Sequence, residues 1–172
     1  MKIELLEETF GQIAPQAIAF SASFYDNLFR QNPDLKPLFA NASREAQDKK
    51  LIFSLAAIVE NLRSPEVLAP ALQSLGARHF QIGTLEKHYP LVGQALLDTF
   101  AAYLGAAWTA EAANAWLEAY NLIAKIMVEG TIRPEEHLTP ELTFYEWIDL
   151  YGETDPMVKA AIAQLTDFKY GR

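Results

Sequence analysis

The sequence predicts an all-α fold. Three observations carry this: apolar residues recur at spacings of three and four, caps and first-turn prolines punctuate the chain at short intervals, and runs that alternate apolar and polar residues are scarce. At 172 residues, 51% hydrophobic and with a mean hydropathy of +0.00, the chain can bury a sizeable core and is not expected to be disordered.

The elements follow in order. A first helix covers about residues 3–13, and Pro15 opens a second that runs to about Arg30, before Asn32-Pro33. A short turn over residues 33–39 has Asn32 as its cap and Pro33 at its first helical position. Asn41-Ala42-Ser43 caps a long helix from Arg44 to about Arg63. Ser64-Pro65-Glu66, a cap, a first-turn proline and an acid suited to the helix dipole, opens the next, which ends near Gly83. Pro90 marks the start of a helix reaching Leu104 before Gly105, and Thr109-Ala110-Glu111 starts the last long one, which stops by Gly130. Connections are short throughout, as in compact helical folds. Beyond Arg133, Pro134 and Pro140 bracket an acidic link, an aromatic stretch covers 142–151, and Val158, Ile162, Leu165 and Phe168 repeat at helical spacing. These predict two small tail helices, and with them a division into a main domain over 1–132 and a C-terminal helical extension over 133–172.

Composition narrows the function classes. The net charge of −8 and the absence of a sizeable Lys/Arg cluster argue against nucleic acid as a partner. No run of about 18 uncharged apolar residues is present, so no membrane span is expected. The acids in Met1-Lys2-Ile3-Glu4-Leu5-Leu6-Glu7-Glu8 fall where a secretory signal needs apolar residues, so the expected location is the cytoplasm. Cysteine is absent, which removes disulfides, thiolate nucleophiles and Cys-based metal sites. His, Tyr, Met, Asp and Glu remain as metal ligands, and the histidines are His79, His88 and His137.

Three placements need a reason. Leu68, Leu72, Leu75 and His79 share one helix face, so an imidazole ends an apolar stripe; alone, it is either a core residue bonded to a carbonyl or a metal ligand. Gln47 shares a stripe with Leu51, Leu55, Ile58 and Leu62, and is either an interior amide or a helix-start residue reaching solvent. Tyr25 lies on a face with Ile18, Ala22 and Leu28, beside Phe24 and Phe29, its hydroxyl directed either to a nearby carbonyl or into a pocket. Together they describe an apolar pocket with few polar groups, suited to a flat aromatic cofactor whose iron takes a neutral imidazole. Amide and hydroxyl donors opposite that imidazole would stabilise bound dioxygen. Phe39 is placed to pack on the ring, and Lys50 and Arg78 either meet its propionates or are solvated surface charges.

At these residues the sequence resembles a globin, specifically a bacterial single-domain globin related to the flavohaemoglobin haem domain. The likeness runs through Phe24-Tyr25-Asp26-Asn27-Leu28-Phe29, Asn32-Pro33-Asp34-Leu35, Leu38-Phe39, Gln47-Asp48-Lys49-Lys50-Leu51, Leu75-Gly76-Ala77-Arg78-His79, His88-Tyr89-Pro90-Leu91-Val92-Gly93, Ala115-Trp116 and Ala119-Tyr120, about residues 4–131. It implies a globin fold of about six to eight helices carrying two short extra C-terminal helices, and haem b (iron protoporphyrin IX) as cofactor. It also implies roles: His79 as proximal iron ligand, Phe39 as the ring that wedges against the haem, Tyr25 and Gln47 as the distal ligand-binding pair, Leu51 as the apolar residue over the iron, and Tyr89 as the tyrosine near the proximal histidine. Two departures stand out. The position of the flavohaemoglobin glutamate that bonds that tyrosine and histidine falls on Thr131, with Glu129 out of register. After residue 132 only a short tail follows, so any turnover is expected to draw electrons from a separate reductase.

The expected function is reversible binding of dioxygen, and of NO and CO, for oxygen transport or scavenging. The alternatives are an NO dioxygenase or other haem redox enzyme (nitrite or peroxide chemistry), a gas sensor whose tail contacts a partner or second subunit in a homodimer, and a haem-free helical domain of the same shape.

Overall fold

The computed structural model describes residues 1–137, and the expected tail helices over 142–172 lie outside the described residues. Seven α-helices are present among the described residues: α1 Ile3–Ile13, α2 Ala17–Gln31, α3 Arg44–Asn61, α4 Pro65–Gln81, α5 Tyr89–Leu104, α6 Ala110–Glu129 and the single turn α7 Pro134–His137. Short 3-10 segments join them, the longest being Pro33–Phe39 between α2 and α3. The all-α class is thus as expected, and the long helices fall within about two residues of the positions given by their caps and prolines. No helix among the described residues is long and apolar enough to cross a membrane.

Two of the expected caps act as side-chain caps. Ser43 Oγ accepts from Ala46 N at 3.2 Å at the head of α3, and Thr109 Oγ1 accepts from Ala112 N at 3.1 Å at the head of α6. Two do not. Ser64 sits at φ −125°, ψ 67°, away from the extended conformation that aims a hydroxyl at the first turn, and its carbonyl, rather than its Oγ, accepts from Val67 and Leu68 N, both at 3.0 Å. Asn32 turns its amide back to donate to Leu28 O at 3.3 Å, closing the end of α2 rather than opening the next segment. The acidic link after Arg133 begins as α7, which packs on α4.

The buried face of α2 is centred on Ala17, Phe20, Ser21, Phe24 and Leu28, with Tyr25 at its edge and Ile18 and Ala22 half-buried. The sequence stripe was therefore about one position out of register, because every residue from Ala17 to Phe20 except Ala19 is at least half-buried and the apolar signal has no sharp edge. At one end of the core, Phe20, Phe100, Trp108 and Trp116 stack, with Phe100 to Trp116 at 4.1 Å and Phe20 to Phe100 at 4.8 Å between ring centroids. Trp116 Nε1 donates to the buried Thr9 Oγ1 at 2.9 Å, and Thr9 in turn donates to Leu5 O at 2.7 Å, so neither polar atom is left unpaired.

Close helix crossings fix α4. A Cβ on Gly76 would lie 1.9 Å from Met127 O, and one on Gly130 would lie 2.1 Å from Gln73 O. The α4 and α6 backbones touch at these two points without intervening side chains. That contact sets the height of α4, and with it of His79, relative to α6. Similarly, Gly93 of α5 rests on the Tyr120 ring, which a Cβ would approach to 2.5 Å.

Candidate functional site

Next to the aromatic stack, with Trp116 common to both, the helices separate around a cavity of about 700 Å³, within the range of cofactor and ligand pockets. Its walls come from α2, the Pro33–Phe39 segment, α3, α4, α5 and α6. Seven of the eight site residues expected from sequence line it: Tyr25, Phe39, Gln47, Lys50, Leu51, His79 and Tyr89. Arg78 does not line it. Its Nε is buried without a hydrogen-bond partner among the described residues.

His79 enters at the end of the Leu68, Leu72, Leu75 stripe, all three of which are buried. Its Nδ1 lies 2.9 Å from Leu75 O. A carbonyl oxygen only accepts, so Nδ1 carries the proton and Nε2 keeps its lone pair. Burial holds the imidazole below its usual titration range, with the Lys50 charge pushing the same way and the Leu75 bond opposing. The ring is therefore neutral, oriented and a metal-competent base at one nitrogen.

On the α2 wall of the cavity, Tyr25 is 5% exposed and its hydroxyl donates to Gln47 O at 3.2 Å. The Gln47 side chain is buried, and its Nε2 donates to Phe39 O at 3.0 Å. Gln47 is thus the interior amide rather than a solvent-facing one. Phe29, Phe39 and Tyr25 form a triangle of rings, Phe29 to Phe39 edge-on at 5.2 Å and Tyr25 at 5.9 Å and 5.7 Å from them between centroids.

On the α5 wall, Tyr89 is buried and its hydroxyl has no hydrogen-bond partner among the described residues. Desolvation pushes this phenol up to about 12. Tyr120 donates to Tyr89 O at 2.6 Å, and burial, reinforced by Tyr89, raises its phenol as well. Thr131, at the position where the sequence departs from the flavohaemoglobin pattern, lies just past α6 and donates back to Val128 O in its last turn at 2.8 Å. No Asp or Glu lines the cavity, and no cluster of three His, Cys, Asp or Glu capable of holding a metal exists among the described residues.

Sequence reasoning missed part of the wall. Val92 and Leu96 from α5, and Ile123 and Met127 from α6, belong to it, Tyr120 and Trp116 face it as well, and so does His88, just ahead of α5. The spacing Tyr120, Ile123, Met127 is a three-then-four stripe that a reading of α6 at helical period would have found.

A globin family model matches residues 22–127, more than half of the chain. The chain belongs to the globin family. Among curated relatives, it is 32% identical over 142 residues to a flavohemoprotein of Rhodopirellula baltica, an alignment covering 80% of this chain and 35% of that protein. It is 31% identical over 126 residues to a flavohemoprotein of Rhizobium meliloti, covering 72% and 31% respectively. This globin chain thus spans about a third of the length of those flavohemoproteins. Among solved structures, an engineered carbene transferase from Rhodothermus marinus, described as a candidate nitric oxide dioxygenase, superposes with a TM-score of 0.65 at 27% identity, covering 78% of this chain and 96% of that one.

Proposed function

We propose that the cavity holds haem through His79 Nε2 and that the protein binds dioxygen and other diatomic ligands (NO, CO) reversibly. The observation that carries this is the donor set: one desolvated, oriented imidazole, His79, in an apolar cavity, with no carboxylate lining it among the described residues. The second histidine of the lining, His88, is half-buried and its Nδ1 already accepts from Leu85 N at 3.1 Å. One imidazole cannot cage a metal alone, so a metal here has to arrive with its other ligands already attached, as in a macrocycle. The cavity volume and the Tyr89 hydroxyl, unpartnered among the described residues, fit a group of that kind. With no cysteine in the chain, thioether attachment is impossible and haem b is the proposed form.

When bound, haem supplies a redox-active iron with one coordination position left for a small molecule. The chain's residues do the rest. Leu75 O fixes the tautomer and rotation of His79. Phe39 and Leu51 wall the cofactor, and Lys50 on the cavity rim is assigned to its carboxylate edge. Arg78, off the wall, is not needed for that role. Tyr25 and Gln47 carry donors already engaged on backbone carbonyls. Each can leave a neutral acceptor, worth about 1 kcal/mol net, for a partly anionic ligand atom, worth about 1.5–3 kcal/mol. The gain exists only for a ligand that becomes polar on binding, so the pair favours dioxygen over CO.

The relatives favour a second reading, dioxygenation of nitric oxide, with electrons from a partner reductase. Steady NO consumption by the dioxygen-saturated protein in the presence of such a reductase, at rates far above those of simple mixing, would establish it.

The first test is spectral. Purified protein mixed with haem is expected to develop a strong Soret band, lost or displaced in His79→Gly and restored by added imidazole. A Soret band unchanged in His79→Gly but shifted by replacing His88 would overturn the ligand assignment.

A further inference from the structure

We infer that Arg44 is a positioning residue for the distal pocket, strengthening the hydrogen bond that Tyr25 gives to a bound ligand. Arg44 opens α3, one turn ahead of Gln47, and folds back across α2. Its Nη2 donates to Ala22 O at 2.8 Å and pairs with Asp26 Oδ1 at 3.3 Å, while its Nε faces Asp48 Oδ1 at 3.4 Å. Asp48 is fixed in turn by Ser21 Oγ, 2.6 Å away on α2, and its carboxylate is only 13% exposed. Ala22 and Asp26 bracket Tyr25 on α2, so these contacts hold the guanidinium over the tyrosine ring, with Cζ 5.0 Å from the ring centroid.

Two consequences follow from that placement. A cation over the ring face draws on the electron density of the phenol and makes its O–H a more polar donor. The same bridge ties the Tyr25 turn of α2 to the first turn of α3, so that the two distal donors keep a fixed separation. The guanidinium is planar and uses its donors in several directions at once, which an ammonium cannot do. The ion pairs themselves are half-exposed and contribute little to stability. Their chemical interest lies in what they aim at.

This inference rests on the haem reading, and a double-mutant cycle separates the two. Wild type, Arg44→Met, Tyr25→Phe and the double variant are reconstituted with haem. The CO stretching frequency is then read by infrared spectroscopy and the dioxygen dissociation rate by rapid mixing. With Tyr25 present, Arg44→Met is expected to raise the CO frequency and speed dioxygen release about two- to fivefold. With Phe at 25 it is expected to do neither. Arg44→Lys, which keeps a charge near the ring but loses the fork, should give a smaller change in the same direction, and serves where Arg44→Met is unstable. Equal effects of Arg44→Met in both backgrounds, or none in either, would overturn the role. Failure of wild type to form a Soret band would instead overturn the haem assignment and this inference with it.

Discussion

Tyr25 gives its hydroxyl to Gln47 O at 3.2 Å, toward the long end for an O–H donor, so that bond is weak and easily exchanged. Its ring, in contrast, is locked by Phe24, Phe29, Phe39 and Arg44. A fixed ring with a weakly held hydroxyl is suited to meeting an incoming ligand without rearrangement. Tyr25→Phe is therefore expected to raise the dioxygen dissociation rate about tenfold, equivalent to about 1.4 kcal/mol, and to change CO dissociation far less. Flash photolysis with both gases checks this, and equal changes for the two would mean the hydroxyl acts by volume rather than by hydrogen bonding. His79, Gln47 and Tyr25 were legible as residues of a shared cavity because each is a polar group on a face otherwise apolar. Arg44 was not, since an arginine at a helix start reads as a solvated cation until the fold lays it across α2.

At the scale of the element, the helices were legible from prolines and caps, because those residues act on their own backbone. The register of α2 was less so, being decided by neighbours rather than by the strand of sequence itself. Where Ser64 and Asn32 fail as side-chain caps, φ and ψ imposed by the connections outweigh residue preference. The α4–α6 contact was not legible at all: Gly76 inside α4 looks like a mere weakening of the helix until Met127 O is found against it. Alanine there is ordinarily the better helix former by about 1 kcal/mol, yet its Cβ would meet a backbone atom that cannot turn aside. Gly76→Ala is thus expected to destabilise the fold by about 1–3 kcal/mol. It should also displace α4, and with it His79, and so weaken haem retention. Thermal melts and the rate of haem transfer to an acceptor protein provide the measurement. A Gly76→Ala variant as stable as the parent, with unchanged haem loss, would show that the two helices can separate freely.

At the scale of the molecule, the cavity is a product of six segments, and no single segment announces it. The sequence suggests its chemistry through His79, Gln47 and Tyr25. Its size, the remaining wall residues and the packing of the buried Tyr89 against the half-buried Tyr120 emerge only on assembly. That pair gives the fold a pH dependence. The Tyr89 hydroxyl, with no partner among the described residues, is pushed up to about 12 by desolvation, whereas in the unfolded chain it titrates near 10. Below about pH 10 both states keep the proton and the group adds no pH dependence. Between about 10 and 12 the unfolded chain loses it while the folded chain does not, so stability falls as pH rises. Discounted for partial solvent access, the effect of Tyr89 is on the order of 1 kcal/mol, with Tyr120 acting in the same direction. Urea unfolding of the protein across pH 7–12 is expected to show a flat region followed by an alkaline decline, and Tyr89→Phe should make that decline shallower. At pH 7 the same substitution should leave stability equal or higher, because it deletes a buried hydroxyl that finds no partner among the described residues. An unchanged alkaline slope in Tyr89→Phe, together with a loss of stability at pH 7, would mean that the hydroxyl has a partner after all.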